Sequence, residues 1–335
     1  MTDKSLLVQD LGEHGLLERL QRYCPADVVG DDGAILSTNP DKSLVVTTDV
    51  LVDEVHFSDR TTSAYDVGWR ATAANLSDLA AMGASPLGIT VGLSLPGNKP
   101  VSWVEELYQG IDGCLGKYST PLVGGDICRS QVATIAITAF GEVDPHKAIL
   151  RSSACPGDAI VVTGLHGLSR GGLELLLNPN KQSSLSLTTE ECQSLIKAHQ
   201  RPLPRLDVLE YLKGIPPEIT IAGMDSSDGL ADAIEQICRN SDVGAIIYES
   251  SLNIFSGLIK LAGLTKAQEW LLYGGEDFEL VLCLPLDFAS VLVEQLGKDA
   301  AIVGKIIRDK EIKIIDNDSL SKGTTLKINK KFQHF

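Results

Sequence analysis

The sequence predicts a two-domain α/β protein, and three observations carry that prediction. Its 335 residues exceed what one hydrophobic core usually supports, one large domain being the alternative. Strand-like segments rich in β-branched residues alternate with segments of helical period in both halves. Between the halves runs VDPHKAILRSSACPGD, where two prolines and several charges break regular structure before a new strand. The boundary placed there divides the chain into residues 1–148 and 149–335.

In the first half, Leu44 to Val50 and Val132 to Phe140 read as strands, and Asp66 to Met82 and Trp103 to Leu115 as helices. The second half opens with a strand, Ala159 to Thr163, a glycine-rich turn LHGLSRGG and a helix LELLL. A polar, serine-rich stretch from Asn178 to Thr189 has no period and reads as a surface loop. A helix over Gly229 to Arg239 and a strand over Phe278 to Leu284 follow. No internal repeat stands out.

Composition narrows the function. Hydrophobic residues at 44% and charged residues at 22% describe an ordinary folded protein. A formal net charge of -15 argues against nonspecific binding to nucleic acid or an anionic membrane, both of which need a basic patch. An anionic substrate would require cations, and clustered carboxylates are the usual way to hold Mg²⁺. The seven cysteines are scattered with no CxxC pair, so free thiols in a reducing cytoplasm are expected. No basic-then-apolar leader and no long apolar run is present, which adds to the expectation of a cytoplasmic protein.

Acid-bearing turns recur along the chain. Asp31 and Asp32 stand in GDDGAI, with an ordinary Asp-Gly surface turn as the plain alternative. In LVVTTDVLVDEVHF an apolar strand runs into Thr47, Thr48 and Asp49, hard oxygen donors expected at or near its end, although threonine is also common in strands. His56 in the same segment is a candidate neutral hydrogen-bonding group for substrate, or simply structural. Asp126 follows Gly124 and Gly125 at the mouth of an expected strand. Asp225, Ser227 and Asp228 precede a helix, where N-capping explains one of the three but not all. Glu276 and Asp277 follow Gly274 and Gly275 before the strand ELVLCL, and read as a further carboxylate pair at a tight turn.

The helix DVGWRATAANLSDLAAMG says most. From Ala71 to Met82 its only charge is Asp78, in a segment apolar around most of its circumference, with Asn75 on the same face. A buried carboxylate needs a partner, and an arginine, a helix N-terminus or a metal ion would serve. The acid-bearing turns together favour a multi-cation site holding a polyphosphate, where the protein positions reactants and screens charge. GxxxxGK[ST], a GxGxxG fingerprint and kinase HRD or DFG motifs are absent from the sequence. GLHGLSRGG fits phosphate contact and tight strand-to-helix packing equally.

In order, GDDGAI, TTDVLVDEVHF, NLSDLAAMGASP, GGD, RSSACPGD, DSSDGLADAI and GGEDFEL resemble the motif set of the thiamine-monophosphate kinase family, over nearly the whole chain. The resemblance implies the two-domain fold of aminoimidazole ribonucleotide synthetase, a homodimer whose N-terminal sheets join into a barrel, and a C-terminal α/β domain. It also implies transfer of the ATP γ-phosphoryl group to thiamine monophosphate, in line and with several Mg²⁺ ions. Asp32, Thr47, Thr48, Asp49, Asp78, Asp126, Asp225 and Asp228 resemble the metal-binding positions, with Asp78 and Asp228 catalytic. Tyr108, Gly125, Arg151 and Ser227 resemble nucleotide contacts; His56, Glu276 and Phe332 resemble substrate contacts. Gly33 and Phe332 depart from the family's usual residues. A selenophosphate synthetase, which needs a reactive cysteine or selenocysteine in a glycine-rich loop, and a noncatalytic nucleotide-binding protein are the competing readings.

Overall fold

A computed structural model describes residues 6–25, 33–180 and 186–316 and the strand Thr324–Thr325. The chain divides into two compact units, Met1–Leu79 with Ser85–Val143, and Ala80–Ala84 with Asp144–Phe335.

In the first unit, α1 (Val8–Leu20), β1 (Ser43–Val52), α2 (Ala64–Ala81), β2 (Ser85–Leu95), α3 (Val101–Lys117), β3 (Leu122–Arg129) and β4 (Thr134–Val143) build a four-stranded sheet of order β1-β4-β2-β3. Neighbouring strands are antiparallel except β2 and β3. Leu76, Leu79, Leu107 and Ile111 from the helices and Ile89, Leu93, Ile135 and Ile137 from the sheet are almost fully buried, and burial of such side chains is the main force holding the unit together. The opposite side of β1 leaves Leu44, Val46 and Val50 exposed, at 53%, 54% and 46%.

Glycines set how closely α2 and α3 approach. A Cβ at Gly68 would overlap the Leu107 carbonyl oxygen, and one at Gly110 would overlap that of Tyr65. Neither helix can yield without opening the buried seam, so Gly110→Ala is expected to cost about 3 kcal/mol through overpacking. Thermal unfolding followed by circular dichroism would show a midpoint lowered by several degrees; an unchanged midpoint would contradict the close crossing.

The second unit is a seven-stranded sheet of order β11-β10-β7-β9-β5-β8-β6, made of β5 (Ala159–Val162), β6 (Ala222–Asp225), β7 (Gly244–Tyr248), β8 (Leu280–Leu284), β9 (Ala301–Ile307), β10 (Ile312–Ile315) and β11 (Thr324–Thr325). Its described helices are α4 (Leu168–Leu177), α5 (Thr189–Gln200), α6 (Val208–Leu212), α7 (Leu230–Ser241), α8 (Ser256–Ala262), α9 (Leu264–Tyr273) and α10 (Leu286–Leu296). β5 and β8 are buried along their whole length, which explains their unbroken apolar runs. One core joins Ile160, Met224, Ile234, Ile237 and Val281, and a second joins Val161, Leu282, Leu284 and Leu292.

β2 is absent from the sequence expectation. The segment SPLGITVGLSL carries a proline and two glycines that break its strand pattern, yet it lies between β4 and β3, with a register shift at Pro86 to Gly88 absorbing the irregularity. Among the described residues no helix is long and apolar enough to cross a membrane.

Candidate active site

Side-chain alternation on β1 turns Thr47 and Asp49 to one face and Thr48 to the other. Thr47 and Asp49 meet α2. The Thr47 hydroxyl donates to Asp78 Oδ2, and the Asp49 N–H donates to Asn75 Oδ1 at 3.1 Å. Asn75 is fully buried and gives its own amide N–H to Ala71 O at 2.9 Å, so it ties strand to helix beside Asp78. Asp78 is half-buried. A hydroxyl satisfies a lone pair without neutralising the carboxylate, and Thr47 and Asp78 bring together two oxygen donors of the hard kind that Mg²⁺ prefers.

Three expectations change here. Thr47, Thr48 and Asp49 lie in the middle of β1, which runs on to Val52, and not at its end. Thr48 is not brought to Asp78; its Oγ1 lies 2.8 Å from Thr138 Oγ1 on the sheet's opposite face. Gly125 and Asp126 lie within β3 and not at its mouth. β3 is the edge strand opposite β1, three strand spacings or about 14 Å from it. Asp126 is exposed and pairs in register with Gly92. Gly125 is required by packing, since a Cβ there would overlap the Val91 carbonyl.

His56 is half-buried, and its Nδ1 accepts the Val52 N–H at 3.0 Å. With Nδ1 an acceptor, the neutral ring carries its proton on Nε2 and presents a donor there. Tyr108 is buried at 5% exposure, its ring centroid 5.8 Å from that of Tyr23. Asp31, Asp32 and Phe332 lie outside the described residues.

In the second unit Asp225 ends β6, buried, and accepts the Ser227 hydroxyl at 3.1 Å. The N-cap position of α7 falls to Gly229, not to Asp225, Ser227 or Asp228, so capping explains none of the three by position. The Glu276 N–H donates to Ser227 O at 2.7 Å, which brings the GGED and DSSD loops together. A Cβ at Gly275 would crowd that same carbonyl. Arg151 donates to Gln236 Oε1 on α7 at 2.7 Å.

Glu276 and Asp277 are not a carboxylate pair. Glu276, at φ 67, leaves its side chain 38% exposed. Asp277 turns inward and accepts the N–H groups of Gly167 at 2.6 Å and Ser169 at 2.8 Å. It therefore occupies the N-terminus of α4, where a phosphate would sit if GLHGLSRGG were an anion cradle. Burial pushes its carboxyl up to about 7, against the pull of these two N–H bonds. Gly171 and Gly172 pack against Leu195, Leu258 and His199, so the structure favours the packing reading of that loop.

Sequence reasoning passed over a half-buried ion pair behind this loop. Arg205 donates to Glu279 and to Thr163 O, and the Thr163 hydroxyl donates to Glu279 Oε2 at 2.6 Å. HQRPLPR carried the signal, an arginine directly after two closely spaced prolines in an otherwise irregular segment. Among the described residues no three His, Cys, Asp or Glu side chains gather closely enough to hold a metal; the oxygen donors stand in smaller groups, Thr47 with Asp78 and Ser227 with Asp225.

Residues 30–143 match the family model of the AIR synthase related protein N-terminal domain, and residues 155–317 that of its C-terminal domain. A thiamine-monophosphate kinase from Synechococcus elongatus is 48% identical over 338 residues, covering 100% of this chain and 99% of the relative. The chain belongs to the thiamine-monophosphate kinase family. The crystal structure of a thiamine-monophosphate kinase from Stenotrophomonas maltophilia shares 32% identity and a TM-score of 0.77, covering 89% of this chain and 95% of that one. AaThiL complexed with AMPPCP and TMP shares 29% identity and a TM-score of 0.71, over 96% and 98% of the two chains. The two-domain architecture expected from the motifs of the thiamine-monophosphate kinases is thus met.

Proposed function

We infer that this chain transfers the γ-phosphoryl group of ATP to thiamine monophosphate, giving thiamine diphosphate and ADP. Full-length likeness to thiamine-monophosphate kinases carries the reading, and the ATP analogue in the complex of a structural neighbour agrees with ATP as co-substrate. The bond from γ-phosphorus to the β–γ bridging oxygen breaks as an oxygen of the acceptor phosphate bonds to that phosphorus, in line and without a phosphoenzyme. Such a reaction asks the protein mainly to align two polyanions.

Asp32, Thr47, Thr48, Asp49, Asp78, Asp126, Asp225 and Asp228 would hold several Mg²⁺ ions, with Asp78 and Asp228 nearest the chemistry. Bound Mg²⁺ would screen the phosphates and stabilise charge developing during transfer. Tyr108, Gly125, Arg151 and Ser227 would contact the nucleotide, and His56, Glu276 and Phe332 the acceptor. His56 suits a phosphate oxygen, because its Nε2 donor survives in the neutral ring. Glu276 suits the other end of the substrate, since an anion repels phosphate and attracts the thiazolium cation or the pyrimidine amine.

The exposed apolar side of β1 supports a homodimer in which N-terminal sheets join into a barrel. The residue ranges 1–148 and 149–335 would serve nucleotide, metal and dimer contacts in the first case and complete the site in the second. Seven free thiols agree with a cytoplasmic setting.

Purified protein supplied with ATP, MgCl₂ and thiamine monophosphate is expected to form thiamine diphosphate and ADP in equal amounts, read by chromatography. ATP turnover without thiamine diphosphate would overturn the assignment.

A further inference from the structure

Glu276 sits on a turn that its own backbone does not hold by ordinary means, since a non-glycine residue at φ 67 carries a conformational cost. Its main chain is fixed by the N–H bond to Ser227 O. Its side chain meets a second, independent contact. His199, at the end of α5 and only 3% exposed, places Nδ1 3.9 Å from Glu276 Oε2 and 3.1 Å from the hydroxyl of Ser169, itself 1% exposed.

We propose that His199, oriented by Ser169, is a positioning residue that aims the Glu276 carboxylate at the cationic organic part of the phosphate acceptor. A proton on Nδ1 makes both contacts attractive, because Ser169 Oγ accepts it while the carboxylate lies beside the same N–H dipole. The neighbourhood is built to keep the imidazole in place. Gly172 lacks a Cβ where one would press on His199 Cβ and the Leu195 carbonyl, so α4 comes close to α5 beside the ring. Asp277 fixes the Ser169 N–H at 2.8 Å, so the residue after Glu276 anchors the serine that orients the histidine. The Glu276–Asp277 dipeptide thereby closes a loop of contacts: Asp277 to Ser169, Ser169 to His199, and His199 to Glu276.

The proposal rests on Glu276 contacting the acceptor, and the experiment separates the two claims. Asparagine at 199 can keep an N–H near the Nδ1 position, whereas glutamine reaches toward Nε2 instead. With the full-length protein, His199→Gln is expected to raise KM for thiamine monophosphate about tenfold, the upper end of what one neutral hydrogen bond is worth, with KM for ATP and kcat changed less than about twofold. His199→Asn should recover most of the loss. In a Glu276→Gln background, His199→Gln should add nothing further, since the group it orients has lost its charge.

Equal rises in KM for both substrates, no rescue by asparagine, or losses that add in the double variant would overturn the proposal and leave His199 a packing residue. Wild-type kinetics in Glu276→Gln alone would sink the contact reading and the proposal with it. Should His199→Gln fail to fold, Ser169→Ala carries the test: it should raise KM for the acceptor alone by about threefold, and an unchanged KM would overturn the proposal.

Discussion

Asp78→Asn is expected to lower kcat/KM for thiamine diphosphate formation about a thousandfold, roughly 4 kcal/mol of transition-state stabilisation, while the protein stays folded. The substitution separates the two uses of the side chain. An asparagine Oδ1 can still accept the Thr47 hydroxyl that Asp78 accepts, and the Asn75 bridge from Ala71 to the Asp49 N–H does not involve position 78. Charge is the property removed. If Asp78 were only a structural acceptor, the variant would keep its activity, and relief from desolvation would if anything stabilise it. Initial rates should therefore collapse while the midpoint in a circular dichroism melt moves by only a few degrees. Activity above about a tenth of wild type would assign Asp78 to the fold and leave the metal reading without its most telling residue.

Asp78 stood out in the sequence because helical period isolates it as the only charge in an apolar segment, where a buried carboxylate was expected; the structure leaves it half-buried against Thr47. The same method misjudged Asp277. Consecutive side chains at a turn go where backbone dihedrals send them, and two residues of this turn, Glu276 and Phe278, hold positive φ without being glycine. No composition cue marks that, so one acid pointing outward and its neighbour capping α4 read alike. β1 shows a related limit. Its alternation was readable, but Thr48 could be separated from Thr47 only once α2 was known to cover one face. The β2 strand was hidden by its proline and glycines, although its position between β4 and β3 fixes how far apart Asp126 and Thr47 lie. The order of motifs supplied the acceptor's identity; the periodicities reached no further than cations and a polyphosphate.

Removal of divalent cations is expected to weaken ATP binding by at least about a hundredfold, or roughly 3 kcal/mol. A chain of net charge -15 that carries carboxylates at Asp49 and Asp78 in its first unit and at Asp225 and Asp228 in its second would meet a nucleotide that is itself a polyanion, and unscreened charges a few ångströms apart repel by about 1 kcal/mol or more per pair. Among the residues expected to touch nucleotide, Arg151 is the one cation, and it is already hydrogen-bonded to Gln236. One guanidinium cannot offset several carboxylates and a triphosphate, so the favourable charge must arrive with the ligand as bound metal. Titration calorimetry of ATP into protein in excess EDTA, and again after Mg²⁺ is restored, reads the difference directly. Raising KCl in the chelated sample should recover little of the affinity, because monovalent screening is weak for partly buried groups at contact distance. Equal affinity with and without chelator would mean that protein contacts alone hold the phosphates, and the acidic residues would then need another explanation.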